Sequence, residues 1–160
     1  MIAKVLINAL RCVELFGELT PMQITEIARN AERVMFSEGA TIAKSGEAAD
    51  AAILVIDGKV ERSSVNARPE DESISSGMLI AEMAMFTDFE HDSTFTARSA
   101  VKAMRIPREA MLAQMADDPE LADRFIHKVA GRLRHVTVEL AKIAAIDLSE
   151  PKPQTTAATA

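Results

Sequence analysis

The chain has 160 residues, of which 48% are hydrophobic, and this is enough apolar material for one domain with a sizeable core. Its net charge of −6 argues against a basic face that could neutralise phosphates, so we expect no direct nucleic-acid partner. The N-terminal apolar run is interrupted by Lys4, Asn8 and Arg11, and no later uncharged stretch could cross a bilayer, so we expect no membrane insertion and a cytoplasmic location.

Two helices are predicted at the start of the chain, within residues 2–30. Apolar residues recur at helical spacing over residues 2–16 and are followed by Gly17, a residue that often ends a helix. Thr20 and Pro21 then supply an N-cap and a proline at the first helical position, which predicts the start of the second helix. Cys12 is the single cysteine, and we expect it to behave as a small buried hydrophobe.

From residue 32 the apolar residues follow a strand pattern instead of a helical one. Short β-type runs are separated by glycine-containing turns, and the clearest runs are residues 34–36, 41–43, 51–56 and 101–106. Asp57 and Gly58 tolerate positive φ, so we expect a type I′ hairpin turn there, with Val55 and Ile56 pairing with Val60. Many short strands of this kind predict an antiparallel jelly-roll β-barrel over residues 32–106.

Residues 107–146 are predicted to be helical, with a short helix from Pro107 and a long one from Asp118 and Pro119. Apolar residues in the long helix are spaced by three and four, namely Leu121, Phe125, Val129, Leu133, Val136, Leu140 and Ile143. This pattern predicts a homodimer through residues 121–143; the alternative is a helix folded wholly against its own domain. Residues 147–160 lack apolar periodicity, so we expect one domain over residues 1–146 and a disordered tail.

Five short motifs occur in a fixed order along the β region: Phe36-Ser-Glu-Gly39, Ile42-Ala-Lys-Ser-Gly-Glu47, Ile53-Leu-Val-Ile-Asp-Gly-Lys-Val60, Ala81-Glu-Met-Ala84 and Thr94-Phe-Thr-Ala97. Together with two opening helices and a long closing helix, they resemble the cyclic-nucleotide-binding domain family, in its catabolite-activator-like and channel-like members. The resemblance implies a mainly β fold with flanking helices. It also implies a non-catalytic regulatory or sensor domain, with cAMP or cGMP as the possible ligand, that signals by shifting its last helix.

The resemblance places a phosphate-binding cassette around Glu82. In such a cassette the N-terminus of a short helix and its backbone amides hold the cyclic phosphate. Glu82 matches the glutamate that accepts a hydrogen bond from the ribose 2′-OH. The other ligand-binding residues that the resemblance implies are Ala81, Met83, Ala84, His91, Asp92, Ser93 and Thr94.

The cassette departs from the family pattern at the residue that pairs with the phosphate. The family has an arginine there, because its planar fork makes a charge-assisted bidentate contact, but the position falls on His91 and Asp92 follows. With no fixed cation and an added carboxylate, we expect weak or altered ligand binding. The alternative is a ligand-independent dimerisation or protein-interaction module with the same fold.

Neither catalysis nor metal binding is expected. His91, Asp92 and Ser93 are residue types of a hydrolase triad, but consecutive residues of an extended segment point to alternate faces. The other histidines, His127 and His135, both lie on the last helix and do not converge with His91 from neighbouring strands. We therefore predict that the chain is not an enzyme.

Overall fold

The computed structural model describes residues 2–64, 73–74 and 76–149. The α-helices in these ranges are α1 (Ile2–Cys12), α2 (Pro21–Asn30), α3 (Arg108–Asp117) and α4 (Pro119–Ser149), and short 3₁₀ helices occupy Glu14–Phe16 and Glu82–Met85. The strands are β1 (Glu32–Phe36), β2 (Thr41–Ala43), β3 (Ala48–Ala49), β4 (Ala51–Asp57), β5 (Val60–Ser63), β6 (Ser73–Ile74), β7 (Leu79–Ile80), β8 (Phe89–Glu90), β9 (Thr94–Ala97) and β10 (Val101–Pro107). The chain divides into two compact units between Arg124 and Phe125.

The strands pair antiparallel in separate sheets. One four-stranded sheet has the order β1-β10-β4-β7, a second has the order β2-β9-β5-β6, and β3 pairs with β8. The prediction of antiparallel strands with flanking helices, two at the start and a long one at the end, is confirmed. The closed barrel is not confirmed, because the strands form separate sheets and not one continuous ring.

An apolar cluster holds the two four-stranded sheets together. Its buried members come from both sheets and are Ala43, Ile53, Val55, Val60, Ile80, Phe95, Ala97, Val101 and Ala103. In β9 the buried residues alternate with more exposed ones, as expected when one face of a strand is covered. We call the side of each strand that contacts this cluster the inner face of the β-roll.

Asp57 and Gly58 connect the two four-stranded sheets and do not close a hairpin. β4 pairs with β10, where Val55 lies opposite Ala103, whereas β5 pairs with β9, where Val60 lies opposite Ala97. The predicted pairing of Val55 with Val60 is therefore wrong. The turn itself is present, since Gly58 has a φ of 108°, but turn residues specify local backbone angles and not the sheet that the next strand joins.

The predicted N-terminal helices are confirmed, and the cap of α2 is a capping box. Thr20 N–H donates to Gln23 Oε1 at 3.0 Å, while Gln23 N–H donates to Thr20 Oγ1 at 3.3 Å. α1 ends earlier than predicted, at Cys12, and a 3₁₀ helix follows. The expected burial of Cys12 is wrong: its thiol is exposed, while Leu10 and Val13 hold the buried positions of this segment.

Asp118 separates α3 from α4 and caps the long helix at the predicted position. Its carboxylate accepts hydrogen bonds from Gln23 Nε2 at 3.0 Å and from Leu121 N–H at 3.1 Å. These bonds, that of Gln23 first, lower the pKa of the Asp118 carboxyl from its ordinary value. Because the folded-state pKa is lowered, the contribution to stability is present above the unfolded pKa and is lost as the pH falls through the folded-state value.

The long helix extends to Ser149, which is past the predicted boundary at residue 146. Residues 150–160 of the predicted tail lie outside the described residues, and the single domain over 1–146 stays a prediction. None of the helices in the described part of the chain has both the length and the apolar character that a bilayer span requires.

Replacing Gly58 with alanine is expected to lower the free energy of unfolding by about 2 kcal/mol or more, through backbone strain and a steric clash. A Cβ atom at this position would lie 2.5 Å from the backbone oxygen of Ala100 and 2.9 Å from Cα of Val101. Urea denaturation measures the change. Gly39→Ala is the matched control, because Gly39 also has positive φ, at 86°, but its added Cβ meets no described atom within 4 Å. Equal losses in the two variants would contradict the steric contribution.

Candidate functional site

The cassette predicted from the sequence begins at a residue with left-handed backbone conformation. Ala81 has φ 54° and ψ 48°, and it joins β7 to the 3₁₀ helix Glu82–Met85. It is the one non-glycine residue with positive φ in the described part of the chain. Successive N–H groups in such a turn form a concavity that suits an anion. A glycine at this position would adopt the conformation without strain.

Packing on both sides fixes this strained turn. Ala81 contacts the apolar cluster of the β-roll, and Ala84 and Met85 are buried. Ala84 N–H donates to the Ala81 carbonyl at 2.9 Å, which closes the first turn of the 3₁₀ helix. Glu82 and Met83 are partly exposed. The turn therefore presents one partly exposed carboxylate, followed by two buried residues, Ala84 and Met85.

The far end of the cassette is tied to the rest of the β-roll. Arg108, the first residue of α3, donates to the Thr87 carbonyl at 2.5 Å and lies 3.0 Å from Asp88 Oδ1. Residues of α3 also pack against the 3₁₀ helix. A displacement of the cassette would consequently change the contacts of α3.

His91 contributes its backbone to strand pairing. Its N–H donates to the Glu47 carbonyl at 2.9 Å, and its carbonyl accepts from Gly46 N–H at 2.9 Å, which extends the pairing of β3 with β8. The imidazole ring meets the ring of Phe89 edge to face, with 6.2 Å between the centroids. The position where the family pattern has an arginine is thus occupied by a ring that packs on its neighbour.

The next three residues point in different directions. Asp92 is exposed, Ser93 is fully buried, and Thr94 is partly exposed. Ser93 has the same strand parity as the buried Phe95 and so lies on the inner face. Thr94 lies on the opposite face, where its Oγ1 accepts a hydrogen bond from Ser45 N–H at 3.1 Å. The structure therefore does not bring Ser93 and Thr94 together on one face.

An arginine from β5 enters the site beside Ser93. β5 and β9 pair in a register that places Arg62 opposite Phe95, and cross-strand partners share a face. Arg62 thus lies on the inner face, and its guanidinium carbon is 6.0 Å from the centroid of the Phe95 ring. Arg62 Nε donates to Ser93 Oγ at 2.9 Å. A permanent cation is therefore held against a buried hydroxyl.

The same guanidinium is paired with Asp92. Arg62 Nη2 lies 3.3 Å from Asp92 Oδ2, and the two side chains are 37% and 71% exposed. The sequence-based expectation of a site without a fixed cation did not include Arg62, which lies next to Asp92. The cation comes from a neighbouring strand, 30 residues away from Asp92 in the chain, so counting along the cassette could not find it. Arg62 lies two residues after the apolar Val60 in a predicted strand, so the two share a face. That spacing was the sequence signal that could have found Arg62.

The guanidinium of Arg62 and the buried hydroxyl of Ser93 lie in contact and together could bind an anion. In the part of the chain that the structure describes, no group of three or more His, Cys, Asp or Glu side chains is placed to hold a metal ion.

Comparisons with known proteins agree on one family. The family model for the cyclic nucleotide-binding domain matches residues 33–118. The chain is 26% identical over 140 residues to a CRP-like cAMP-activated global transcriptional regulator of Mycobacterium tuberculosis, which covers 84% of this chain. It is also 26% identical over 136 residues to a putative potassium channel protein of Rhodopseudomonas palustris, covering 82% of this chain and 32% of that protein.

Solved structures show the same fold. The N-terminal domain of a transcriptional regulator from Streptomyces coelicolor superposes with a TM-score of 0.72 at 26% identity, covering 80% of this chain and 94% of that one. The sensor domain of the transcriptional regulator DNR from Pseudomonas aeruginosa gives a TM-score of 0.65 at 27% identity, with coverage of 86% and 95%. The chain spans 61% of the length of the M. tuberculosis regulator.

Replacing Ala81 with glycine is expected to raise the free energy of unfolding by roughly 0.5–1 kcal/mol, because relief of left-handed strain exceeds the entropy that glycine adds to the unfolded chain. Urea denaturation checks this value. Ala84→Gly is the matched control: Ala84 is fully buried in the helical turn that follows, so the same substitution should destabilise. Destabilisation by Ala81→Gly would show that the turn is not strained.

Proposed function

The chain belongs to the cyclic nucleotide-binding domain family, and we propose that it is a non-catalytic regulatory domain that senses a cyclic nucleotide. The observation that carries this proposal is the shared interior of the β-roll. Ala81, at the start of the cassette, packs against the same apolar cluster that contains Phe95, and Phe95 is the cross-strand partner of Arg62. Anion-binding groups from the cassette and from β5 therefore border one apolar interior, as a ligand with a charged and an apolar part requires.

Each predicted site residue has a place in this proposal. The amides of Ala81 and Met83 would face the phosphate, and Glu82 would accept a hydrogen bond from the ribose. Ala84 has a structural role, because its N–H already donates to the Ala81 carbonyl. Of the remaining residues, Ser93 is directed to the inner face. The contacts of His91 and Thr94 described above favour structural roles for these two residues. Asp92 would compete with the phosphate for Arg62.

We propose that the affinity for a cyclic nucleotide is weak, as expected from the sequence, but for a different reason. The sequence-based reason was the lack of a fixed cation. A cation is present in Arg62, and its charge is partly neutralised by Asp92. A cyclic phosphate must share or displace that carboxylate, which lowers affinity relative to a guanidinium with no carboxylate partner.

A titration with cAMP and cGMP tests this function. A ligand at about a hundred times its dissociation constant should stabilise the protein by roughly 2.7 kcal/mol, measured as a rise in Tm. Because Asp92 competes, we expect the rise at millimolar and not at low micromolar nucleotide. Glu82→Ala should reduce the rise, and 5′-AMP is the control for a non-cyclic phosphate. No rise with either cyclic nucleotide at millimolar concentration would contradict the sensor function for these ligands.

We also propose that the chain forms a homodimer through residues 121–143. In the second compact unit, the side chains of Leu133, Val136, Leu140 and Ile143 are 63%, 53%, 60% and 62% exposed. They recur at intervals of three and four, so they lie along one side of α4. A continuous exposed apolar stripe of this kind favours burial against a second helix.

Leu133→Asp is expected to convert the dimer to a monomer, because it places a charge at the centre of the stripe; analytical ultracentrifugation measures the change. Val138→Asp is the matched control, since Val138 is 52% exposed but lies away from the stripe. Dissociation by both variants, or a monomeric wild type, would contradict the proposed interface.

The exposed stripe also supports the second candidate function, a ligand-independent dimerisation or protein-interaction module. A dimer that fails to respond to cAMP and cGMP would favour that function over the sensor. The expectation of no nucleic-acid partner rests on the charge of this chain alone, and it gains no support from the M. tuberculosis relative, which is a transcriptional regulator. A cytoplasmic location stays a prediction from the sequence.

A further inference from the structure

We propose that Arg62 receives the anionic group of the ligand and that Asp92 is a resident competitor which the ligand displaces. We call the Arg62–Asp92 ion pair the latch, because Asp92 occupies the guanidinium until an anion displaces it. The identity of the ligand as a cyclic nucleotide rests on the proposed function, whereas the anion site rests on the contacts of Arg62 itself.

The first step is the position of Arg62 on the inner face. Its neighbour of the same parity, Val60, is 1% exposed, and its cross-strand partner Phe95 belongs to the apolar cluster. The Arg62 side chain is nevertheless 37% exposed, so its guanidinium borders the apolar cluster and is also open to solvent. An anion that enters from solvent can therefore reach this charge while an apolar part of the same ligand contacts the cluster.

The second step is the way in which Ser93 orients the guanidinium. The Ser93 side chain is fully buried, and its Oγ accepts the Nε–H of Arg62 at 2.9 Å. This bond fixes the plane of the guanidinium and leaves the edge formed by its two terminal nitrogens for another acceptor. Asp92 accepts from one of these nitrogens, Nη2. A phosphate matches the same edge because two of its oxygens can accept parallel N–H bonds.

The third step is the weakness of the present pair. The distance of 3.3 Å between Arg62 Nη2 and Asp92 Oδ2 exceeds the 2.7–2.9 Å typical of a charge-assisted bond. The Asp92 side chain is already mostly exposed, so it regains hydration easily when it leaves. Displacement of Asp92 by an anion therefore exchanges a loose contact for a bidentate one.

The outer face of β5 provides a matched control pair, formed by Glu61 and Arg98, the residue that follows β9. Glu61 lies opposite Thr96 on the side away from the apolar cluster, and its carboxylate is hydrogen-bonded to Arg98 Nε. Neutralising this pair changes the net charge of the chain by the same amounts as neutralising Arg62 and Asp92. It leaves the inner face untouched.

The experiment uses the full chain and compares Arg62→Gln, Asp92→Asn and the double variant with Arg98→Gln and Glu61→Gln. Binding of cAMP, cGMP and inorganic phosphate is followed by calorimetric titration and by Tm. Asp92→Asn should tighten binding about fivefold to tenfold, and Arg62→Gln should weaken it about tenfold or more. In the double variant the gain from Asp92→Asn should vanish, because the two residues act through one contact. Neither outer-face variant should change the affinity beyond about twofold.

The outcomes separate this inference from the proposed function. If the wild type binds a cyclic nucleotide and Arg62→Gln binds it equally well, Arg62 is not the anion ligand, while the sensor function stands. If no variant binds a cyclic nucleotide but phosphate raises the Tm of Asp92→Asn and not of the double variant, the anion site stands and the sensor function fails. If no anion binds any variant, both are overturned. Should Arg62→Gln fail to fold, Asp92→Asn decides alone, because a gain in affinity supports the latch and no gain overturns it.

Discussion

The bond from Arg62 Nε to the buried hydroxyl of Ser93, at 2.9 Å, is the contact on which the chemistry of this interior depends. It holds a permanent positive charge at the border of an apolar cluster, where a charge without a partner would be costly. The antiparallel register of β5 with β9 makes the bond possible, because it puts Arg62 and Ser93 on the same inner face. One register shift would turn the guanidinium out to solvent and leave the hydroxyl buried without its donor.

Backbone strain in the cassette complements this charge. Ala81 is held in a left-handed conformation by packing of the residues around it, while Ala84 is buried just beyond. A strained backbone conformation persists only where the surrounding packing fixes it, so the amides of this turn keep one direction. At the other end of the cassette, Arg108 links the Thr87 carbonyl to the start of α3. The cassette is thus anchored at its entry by packing and at its exit by a hydrogen bond.

The cyclic nucleotide-binding domain match covers both β5 and the cassette, since it runs over residues 33–118. A cation on the strand beside the cassette can face the same interior as a cation within it, since neighbouring antiparallel strands lie about 5 Å apart. In this chain the cassette carries His91 and Asp92 where the family pattern has its arginine, and β5 carries Arg62. In the proposed site this cation is therefore already paired with a carboxylate, with which an incoming anion would compete.

The sequence by itself determined the local elements: the capped start of α2 at Thr20, the start of α4 after Asp118, the short strands and the order of motifs that indicates the family. These follow from periodicity, caps and turn residues, which act over a few positions. Only the tertiary structure decided that Asp57 and Gly58 lead from one sheet to the other and that Arg62 reaches Ser93. Both depend on strand pairing between residues distant in the chain, and no local preference encodes which strands will pair, because that choice minimises the free energy of the whole β-roll.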